Sequence, residues 1–434
     1  MAVLIGLNVP LMSAVIMTVA LLLVIQGAMA TYAMFYTFLE ERRLAEIRPN
    51  RLPLPGKAQR TFSLIVAAKN EEHVIGDTLK AMARLNYPDS MYEVLVLVRA
   101  DDKQTIRETE KTLALLKKDN MRLIYIDGDA NTKAYSLNIG AHYAQNQVLA
   151  VFDAEDEPHP DLLAHVDQTF AADHYVGVVQ SGIQLINVDS SWFSALNSLE
   201  YYFWFKSVLP FLAKTGIMPL GGNTVFISKF ALKKIGFWDE DCLTEDMDIG
   251  VRLAKYGFKS KIIYEEKLAT LEETPKDEAG FIRQRSRWDQ GYLQVFMKGD
   301  WLGLPGYQQR FLTGYILVQS LFRHLSFIFM ILLPVSVNLI KVPVLIAMLS
   351  YLPAYFLALQ WGLYVMGLKD LKYHYQLKFS PLLYGKMLLS FFPYQLMLAL
   401  ASLRAVRRSL GRRVEWEKTA HRNLHRLNLT YRGS

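Results

Sequence analysis

Apolar residues follow two different patterns along the chain, and the change from one to the other divides it into regions. Over residues 11–36 they form a nearly unbroken run with no Lys or Arg, long enough as a helix to cross a hydrocarbon layer of about 30 Å. Between 57 and 304 the pattern changes to short β-branched runs separated by charged stretches of helical length. Long apolar runs then return at 311–322, 325–340, 342–368 and 379–403, interrupted by Arg323, His324, Lys341, a polar stretch at 369–378, and Lys386. The pattern predicts an N-terminal membrane helix over 1–40, a soluble domain over 57–304, interfacial and transmembrane helices over 305–404, and a tail over 405–434. Within the soluble part, 61–68, 94–98, 123–126 and 148–152 read as buried parallel strands, each followed by a polar turn. Their spacing is that of a doubly wound α/β sheet, which binds ligands at the carboxyl ends of its strands.

Charge adds orientation. Arg42, Arg43, Arg48 and Arg51 follow the first apolar run, and Arg404, Arg407, Arg408, Arg412 and Arg413 follow the last, so the positive-inside rule places both domain and tail in the cytoplasm. A cleaved leader ending at Ala28-Met29-Ala30 is the competing reading, against which stand the missing basic n-region and the length of the run. With both flanks inside, three crossings after the domain have the wrong parity. The run 311–322, short and with a charged end, is therefore expected to lie along the interface, and one of the last two runs to be re-entrant or double. The expected location is the plasma membrane, multi-pass, with the bilayer as a partner.

Composition agrees with this division: 52% hydrophobic and 21% charged residues suit a soluble domain carried on membrane helices. The net charge of +7 sits at membrane flanks and is not interleaved with aromatics, which argues against nucleic acid. A single cysteine, Cys242, excludes an internal disulfide and a cysteine metal cluster, and reads as a small buried residue. No internal repeat supports a solenoid or an inverted-repeat transporter. No appended regulatory domain is expected after the last apolar run.

Candidate chemistry lies at the strand ends, which read Lys69-Asn70-Glu71-Glu72, Arg99-Ala100-Asp101-Asp102 and Asp153-Ala154-Glu155-Asp156. No glycine-rich phosphate loop follows any of these strands, which argues against nicotinamide and P-loop sites. Asp153, Glu155 and Asp156 repel one another unless a cation is present, so they suggest a divalent metal with hard oxygen ligands; a helix N-cap at Asp156, ahead of Pro158, explains them equally well. Thr244-Glu245-Asp246 opens an amphipathic helix and is either a capping sequence or the setting for Asp246 as a general base. Gln284 and Arg287 share a helix face with Trp288 adjoining, suited to a diphosphate and a sugar ring, or to an amphipathic helix on a membrane surface.

An N-E, a D-x-(D/E), a T-E-D and a Q-x-x-R-W in this order resemble the membrane-integrated family 2 glycosyltransferases, relatives of the cellulose, hyaluronan and chitin synthases. The likeness covers 61–292 by motif and the flanking helices by architecture. It implies an α/β GT-A type cytoplasmic domain with N- and C-terminal transmembrane helices. Glu71 and either Asp101 or Asp102 would hold the uracil of a UDP-sugar donor, although R-A-D-D-K-Q-T departs from the family's D-D-G-S. Asp153 and Glu155 would hold Mg2+ or Mn2+, Glu155 standing where the family has Asp, or Asp156 would take the place of Glu155. Asp246 would be the catalytic base with Glu245 beside it, and Gln284, Arg287 and Trp288 would meet the acceptor terminus and the leaving group. Gly222 and Asn223 fall in a loop beside the acceptor sugar, or in a plain turn. Lys133 belongs to a similar T-K-x-x-x-L-N stretch, and Trp416 and Lys418 resemble a gating loop over bound nucleotide, or else belong to a tail on anionic lipid.

The activity so implied is an inverting hexosyltransferase that uses UDP-hexose to elongate an extracellular or capsular β-linked polysaccharide processively and pass it across the membrane. The alternative is addition of one sugar to a lipid-linked acceptor. The aromatic-rich stretch 351–364 would line a sugar channel or form an interface belt. Export or accessory subunits are further partners under the first reading. An inactive sensor is disfavoured by intact Asp153, Asp246 and Arg287.

Overall fold

The computed structural model describes residues 9–47, 57–128, 132–340 and 343–411. Helix α1 (Val9–Ile47) leads into a βα alternation of β1 (Phe62–Ala68), α2 (Ile75–Met82), β2 (Tyr92–Arg99), α3 (Lys103–Leu116), β3 (Met121–Ile126), α4 (Lys133–Tyr143), β4 (Val148–Asp153) and α5 (Leu162–Ala172). There follow β5 (Val176–Ser181), β6 (Ile183–Leu185), α6 (Ser194–Phe203), α7 (Leu209–Lys214), β7 (Val225–Ser228), α8 (Lys229–Ile235), α9 (Glu245–Lys255), β8 (Lys259–Ile263), β9 (Thr270–Glu272) and α10 (Glu278–Lys298). Three long helices come next: α11 (Tyr307–Ile340), α12 (Val344–His374) and α13 (Leu382–Leu410).

The expected strands are β1 to β4. Alternate residues of β1 and β2 enter opposite cores: Phe62, Leu64, Val66, Val94, Val96 and Val98 pack on one side of the sheet, Ile65, Leu95 and Leu97 on the other. Burial on both faces is why these strands read as unbroken apolar runs. The sheet order is β3-β2-β1-β4-β7-β5-β8, parallel through β4, after which β7 runs antiparallel between β4 and β5. The doubly wound half is as expected and the remainder is mixed.

Register sets the position of the site. Ala67 pairs with Asp153 and Ala68 with Val98, so β1, β2 and β4 end abreast and their acidic turns share one edge. Because β7 is antiparallel, with Val225 opposite Val151, the loop entering it reaches that same edge. The small parallel pair β6–β9 brings Glu272 to the end of its strand nearby, opposite Leu185.

Among the described residues, three helices are long and apolar enough to cross a membrane: Pro10–Glu40 within α1, α12 and α13. Two expectations are corrected here. The runs 311–322 and 325–340 form the single helix α11, which passes through Arg323 and His324 without a break, so 311–322 is not a separate interfacial helix. Either residue is tolerated in a helix interior, and a pair of polar residues does not end backbone hydrogen bonding. Likewise α12 and α13 are each one continuous helix, neither re-entrant nor doubled. α1 packs along α12, where Gly27 allows close approach: a Cβ there would lie 3.0 Å from the Phe356 Cβ. Both helices are fastened to the domain at the same level, through Thr37 N–H to Ser207 Oγ (3.2 Å) and through Lys206 Nζ, which donates to Asp370 and Glu266 at 2.8 Å each. Glu266, Asp370 and His374 are close enough together to hold a metal, but the Lys206 ammonium already supplies the cation, and the group acts as a strut.

Candidate active site

β4 ends in Asp153, and the chain turns back so that the Asp153 N–H donates to Asp156 Oδ2 at 2.8 Å. Asp156 Oδ1 accepts from Asn223 Nδ2, also at 2.8 Å, and Asp156 has no exposed surface. Asp156 therefore ties the strand end to the β7 loop and faces away from the cavity, leaving Asp153 and Glu155 as the pair directed into it. Asn223 Nδ2 also donates to Glu272. Lys133, at the start of α4, donates to Asp153 and to the Gly222 carbonyl (2.7 Å), placing a cation at the centre of the acids.

The capping explanation of Thr244-Glu245-Asp246 fails: Thr244 makes no side-chain cap bond, and its Oγ1 is buried without a partner among the described residues. Asp246, in the first turn of α9, accepts from the Met247 N–H at 2.8 Å. A Cβ on Gly222 would sit 3.3 Å from Asp246 Oδ2 and 3.7 Å from Lys133 Nζ, so the bare glycine gives the acid its approach to the loop. α10 closes on α9 at Gly291, where a Cβ would fall 2.5 Å from the Thr244 side chain. Gln284, Arg287 and Trp288 of α10 line the cavity, with Trp288 6.3 Å from the Tyr201 ring and Gln284 Oε1 lacking a partner among the described residues. Arg285 and Glu200 line it too, paired with each other at 2.6 Å, and the Arg285 guanidinium lies 4.7 Å from the Trp288 ring centre. α13 packs along α10.

At the other end, Glu71 and Arg99 line the cavity, whereas Asp101 and Asp102 do not. Asp102 caps α3 by accepting from the Thr105 N–H (3.2 Å) and also holds the Asn70 N–H at 2.6 Å, where Asn70 adopts a left-handed φ of 54°. Asp101 is exposed and paired with Arg99 at 3.0 Å, which lowers its pKa. Glu272 has no counterpart in the sequence pattern, and Arg99, although it opens the second strand-end motif, carries no role there. Arg99 is the last residue of an apolar strand, and Glu272 ends a strand of three residues, too short to leave a pattern. Trp416 and Lys418 lie outside the described residues. Cys242 is buried, which pushes its thiol up to about 12 and leaves it inert.

Negative charge is in excess at the centre. Burial, then neighbouring Glu272, Asp153 and Glu71, pushes Glu155 well above the usual carboxylate range. Glu245 and Glu272 are raised to about 7, each by burial first and then by Asp246 and Asp153 respectively. Burial also raises Asp246 and lowers Arg287. For Lys133, burial opposes the charge, but Asp153 and Glu245 outweigh it and raise its pKa. The donor set fits a hard divalent cation. A testable consequence concerns pH. With Glu245 and Glu272 at about 7 in the fold against an ordinary 4.5, the folded state holds protons that the unfolded chain has released, so stability falls as pH rises from 4.5 through 7. Thermal melting of the metal-free protein is expected to be lower at pH 8 than at pH 5.5, and Mn2+ is expected to restore it at pH 8; a melting temperature indifferent to both would refute the charge excess.

All these side chains face one cavity of about 900 Å³ that continues between the long helices, lined there by Gln26 and Met34 of α1, Phe356, Gln360 and Tyr364 of α12, and Gln395 of α13. Beyond Leu23, Ile16 and Ala20 pack with Leu333 into a small apolar cluster.

Residues 58–291 match the family model described as glycosyltransferase like family 2. The chain is 31% identical over 240 residues to a β-monoglucosyldiacylglycerol synthase of Nostoc sp., covering 54% of this chain and 49% of that one. Thus it spans about half the length of that relative. It is 23% identical over 322 residues to a poly-β-1,6-N-acetyl-D-glucosamine synthase of Staphylococcus epidermidis, covering 72% of this chain and 73% of that one. Among solved structures it is similar to a mannosyltransferase from Pyrobaculum calidifontis in complex with GDP-Man and Mn2+, with a TM-score of 0.56 and 17% identity over 91% of this chain and 99% of that one, a likeness of fold. The GT-A type α/β domain, the acidic edge and the order of the motifs agree with the family match, and this chain belongs to the family 2-like glycosyltransferases.

Proposed function

We propose that this protein is an inverting glycosyltransferase that moves a hexose from a UDP-sugar to a hydroxyl of a membrane-lipid acceptor, with its catalytic domain on the cytoplasmic face. The observation that carries the lipid acceptor is the cavity: it joins the carboxylates to the space between α1, α12 and α13, and past Leu23 it meets the apolar packing of Ile16, Ala20 and Leu333. A headgroup entering from the membrane meets Asp246, whereas an exported glycan would need a polar path through that packing. The name of the Nostoc relative points the same way.

In this reading Glu71 and Arg99 hold the nucleoside end, and Asp153 and Glu155 would hold Mg2+ or Mn2+. When bound, that ion neutralises the donor diphosphate and assists its departure. Arg287 faces the same diphosphate, Trp288 with Tyr201 offers an aromatic wall to the sugar, and Gln284 Oε1 accepts from a sugar hydroxyl. Asp246 takes the acceptor hydroxyl proton as the oxygen attacks the anomeric carbon from the side opposite the leaving group, giving one displacement with inversion. No second carboxylate nucleophile is required.

A processive polysaccharide synthase is the second reading, favoured by the likeness to the Staphylococcus epidermidis enzyme over most of both chains and by Phe356 and Tyr364 in the cavity wall. Purified protein in lipid nanodiscs, given labelled UDP-hexoses in turn with Mn2+, separates the two. A lipid carrying one sugar is the expected product, and a ladder of water-soluble oligomers would replace the first reading by the second.

A further inference from the structure

Each of the four long helices brings a glutamine to the part of the cavity that runs between them: Gln26 of α1, Gln319 of α11, Gln360 of α12 and Gln395 of α13. Each stands well inside its helix with apolar neighbours in sequence. Ser320, beside Gln319, also lines the cavity, and its Oγ is buried without a partner among the described residues. We propose that these amides form the headgroup site of the acceptor, and that the acceptor they select is an uncharged lipid alcohol and not a lipid phosphate. The inference rests on the lipid-acceptor reading and names the class of lipid.

A polar side chain inside an apolar helix is costly, and it serves either to join helices or to meet a ligand. Gln360 does the first: its Nε2 donates to Thr31 Oγ1 at 3.2 Å and to the Gly27 carbonyl at 3.5 Å, across to α1. Gln319 and Gln395 make no side-chain hydrogen bond with the described residues, although both face the cavity. Holding the helices together therefore does not account for them.

The class of ligand follows from charge. Among the described residues, the four helices bring no charged side chain to the cavity wall. An amide donates and accepts as a hydroxyl does, and it offers an anion no countercharge. A phosphate drawn between the helices would need that countercharge, because an unpaired ion in a low-dielectric site is far costlier to bury than a hydrogen-bonded hydroxyl. Of the cations toward the domain, Arg285 is paired with Glu200 at 2.6 Å and Lys133 with Asp153, and Arg287 is taken by the donor diphosphate in the proposed reaction. The excess of carboxylates around Asp246 turns the same anion away. A headgroup held by the glutamines presents a hydroxyl to Asp246. Its oxygen bonds to the anomeric carbon, the bond from that carbon to the diphosphate breaks, UDP leaves with the electron pair, and Asp246 keeps the hydroxyl proton.

Acceptor choice and crosslinking test the assignment. The full chain in phosphatidylcholine nanodiscs receives dioleoylglycerol, undecaprenyl phosphate or dioleoyl phosphatidic acid, with Mn2+ and labelled UDP-hexoses in turn. Sugar-bearing dioleoylglycerol is the expected product, with no sugar on either phosphate lipid. A diacylglycerol carrying a diazirine beside its headgroup is expected to mark peptides around Gln26 and Gln360 on illumination, with dioleoylglycerol competing and the phosphate lipids not. Gln26→Leu and Gln360→Leu are each expected to raise the KM for dioleoylglycerol about tenfold, the scale of one lost hydrogen bond. Mn2+-dependent UDP affinity at the parent value is the check that both variants fold. Sugar on a phosphate lipid in place of dioleoylglycerol overturns the inference and leaves the lipid-acceptor reading standing, whereas a ladder of water-soluble oligomers overturns both. If neither product forms, the crosslink decides: marks away from the glutamines, or marks removed by the phosphate lipids, overturn the assignment.

Discussion

Asp246→Asn is expected to slow sugar transfer by about a thousandfold or more, the scale of a lost general base, while UDP binding in the presence of Mn2+ stays unchanged. The substitution keeps the shape and the oxygen that accepts from the Met247 N–H, so α9 keeps its first turn. What it removes is the capacity to take a proton at the one carboxylate that Gly222 lets approach the loop beside Lys133. Single-turnover transfer and calorimetric UDP titration measure the two quantities separately. Transfer at the parent rate would take the base role away from Asp246, and loss of UDP binding would make its role structural.

Asp153→Asn is expected to behave differently, losing donor binding and transfer together. Asp153 is the acid to which Lys133 donates, and it stands at the end of β4 beside Glu155. Outer partners of metal ligands typically cost 10- to 100-fold in metal affinity when changed, so removing a direct ligand charge should weaken Mn2+-dependent UDP binding by at least about a hundredfold. The contrast between the variants is the informative result: Asp153→Asn fails at binding, Asp246→Asn after it. Undiminished Mn2+-dependent UDP affinity in Asp153→Asn would show that the ion is held elsewhere, Glu155 and Glu272 being the next candidates.

Legibility in the sequence followed the range of the interactions involved. β1 to β4 could be read because their burial on both faces forces continuous apolar runs, and the acids Asp153 and Asp246 because they follow such runs or open a helix. Glu272 could not be read, since its position depends on β6 and β9 pairing across many residues of chain. Asp156 was legible as an acid but not as a scaffold, because its two partners, the Asp153 N–H and Asn223, meet only after β7 inserts beside β4. The same holds for Asp101 and Asp102, adjacent in sequence, of which one ends on the surface and the other fastens Asn70.

Hydropathy and motif order alone yield an α/β domain with an acidic edge carried on apolar helices, and motifs in the order of the family 2 glycosyltransferases. Both follow from local pattern, where each residue's own hydropathy and its near neighbours suffice. Which acids face the cavity, how far it runs between the helices, and the seat of α13 on the catalytic domain depend on contacts between distant segments. A helix of leucines has the same periodicity whatever it packs on, and the partners α13 finds, here Asp189, Glu200 and Gln290, are far from it in sequence.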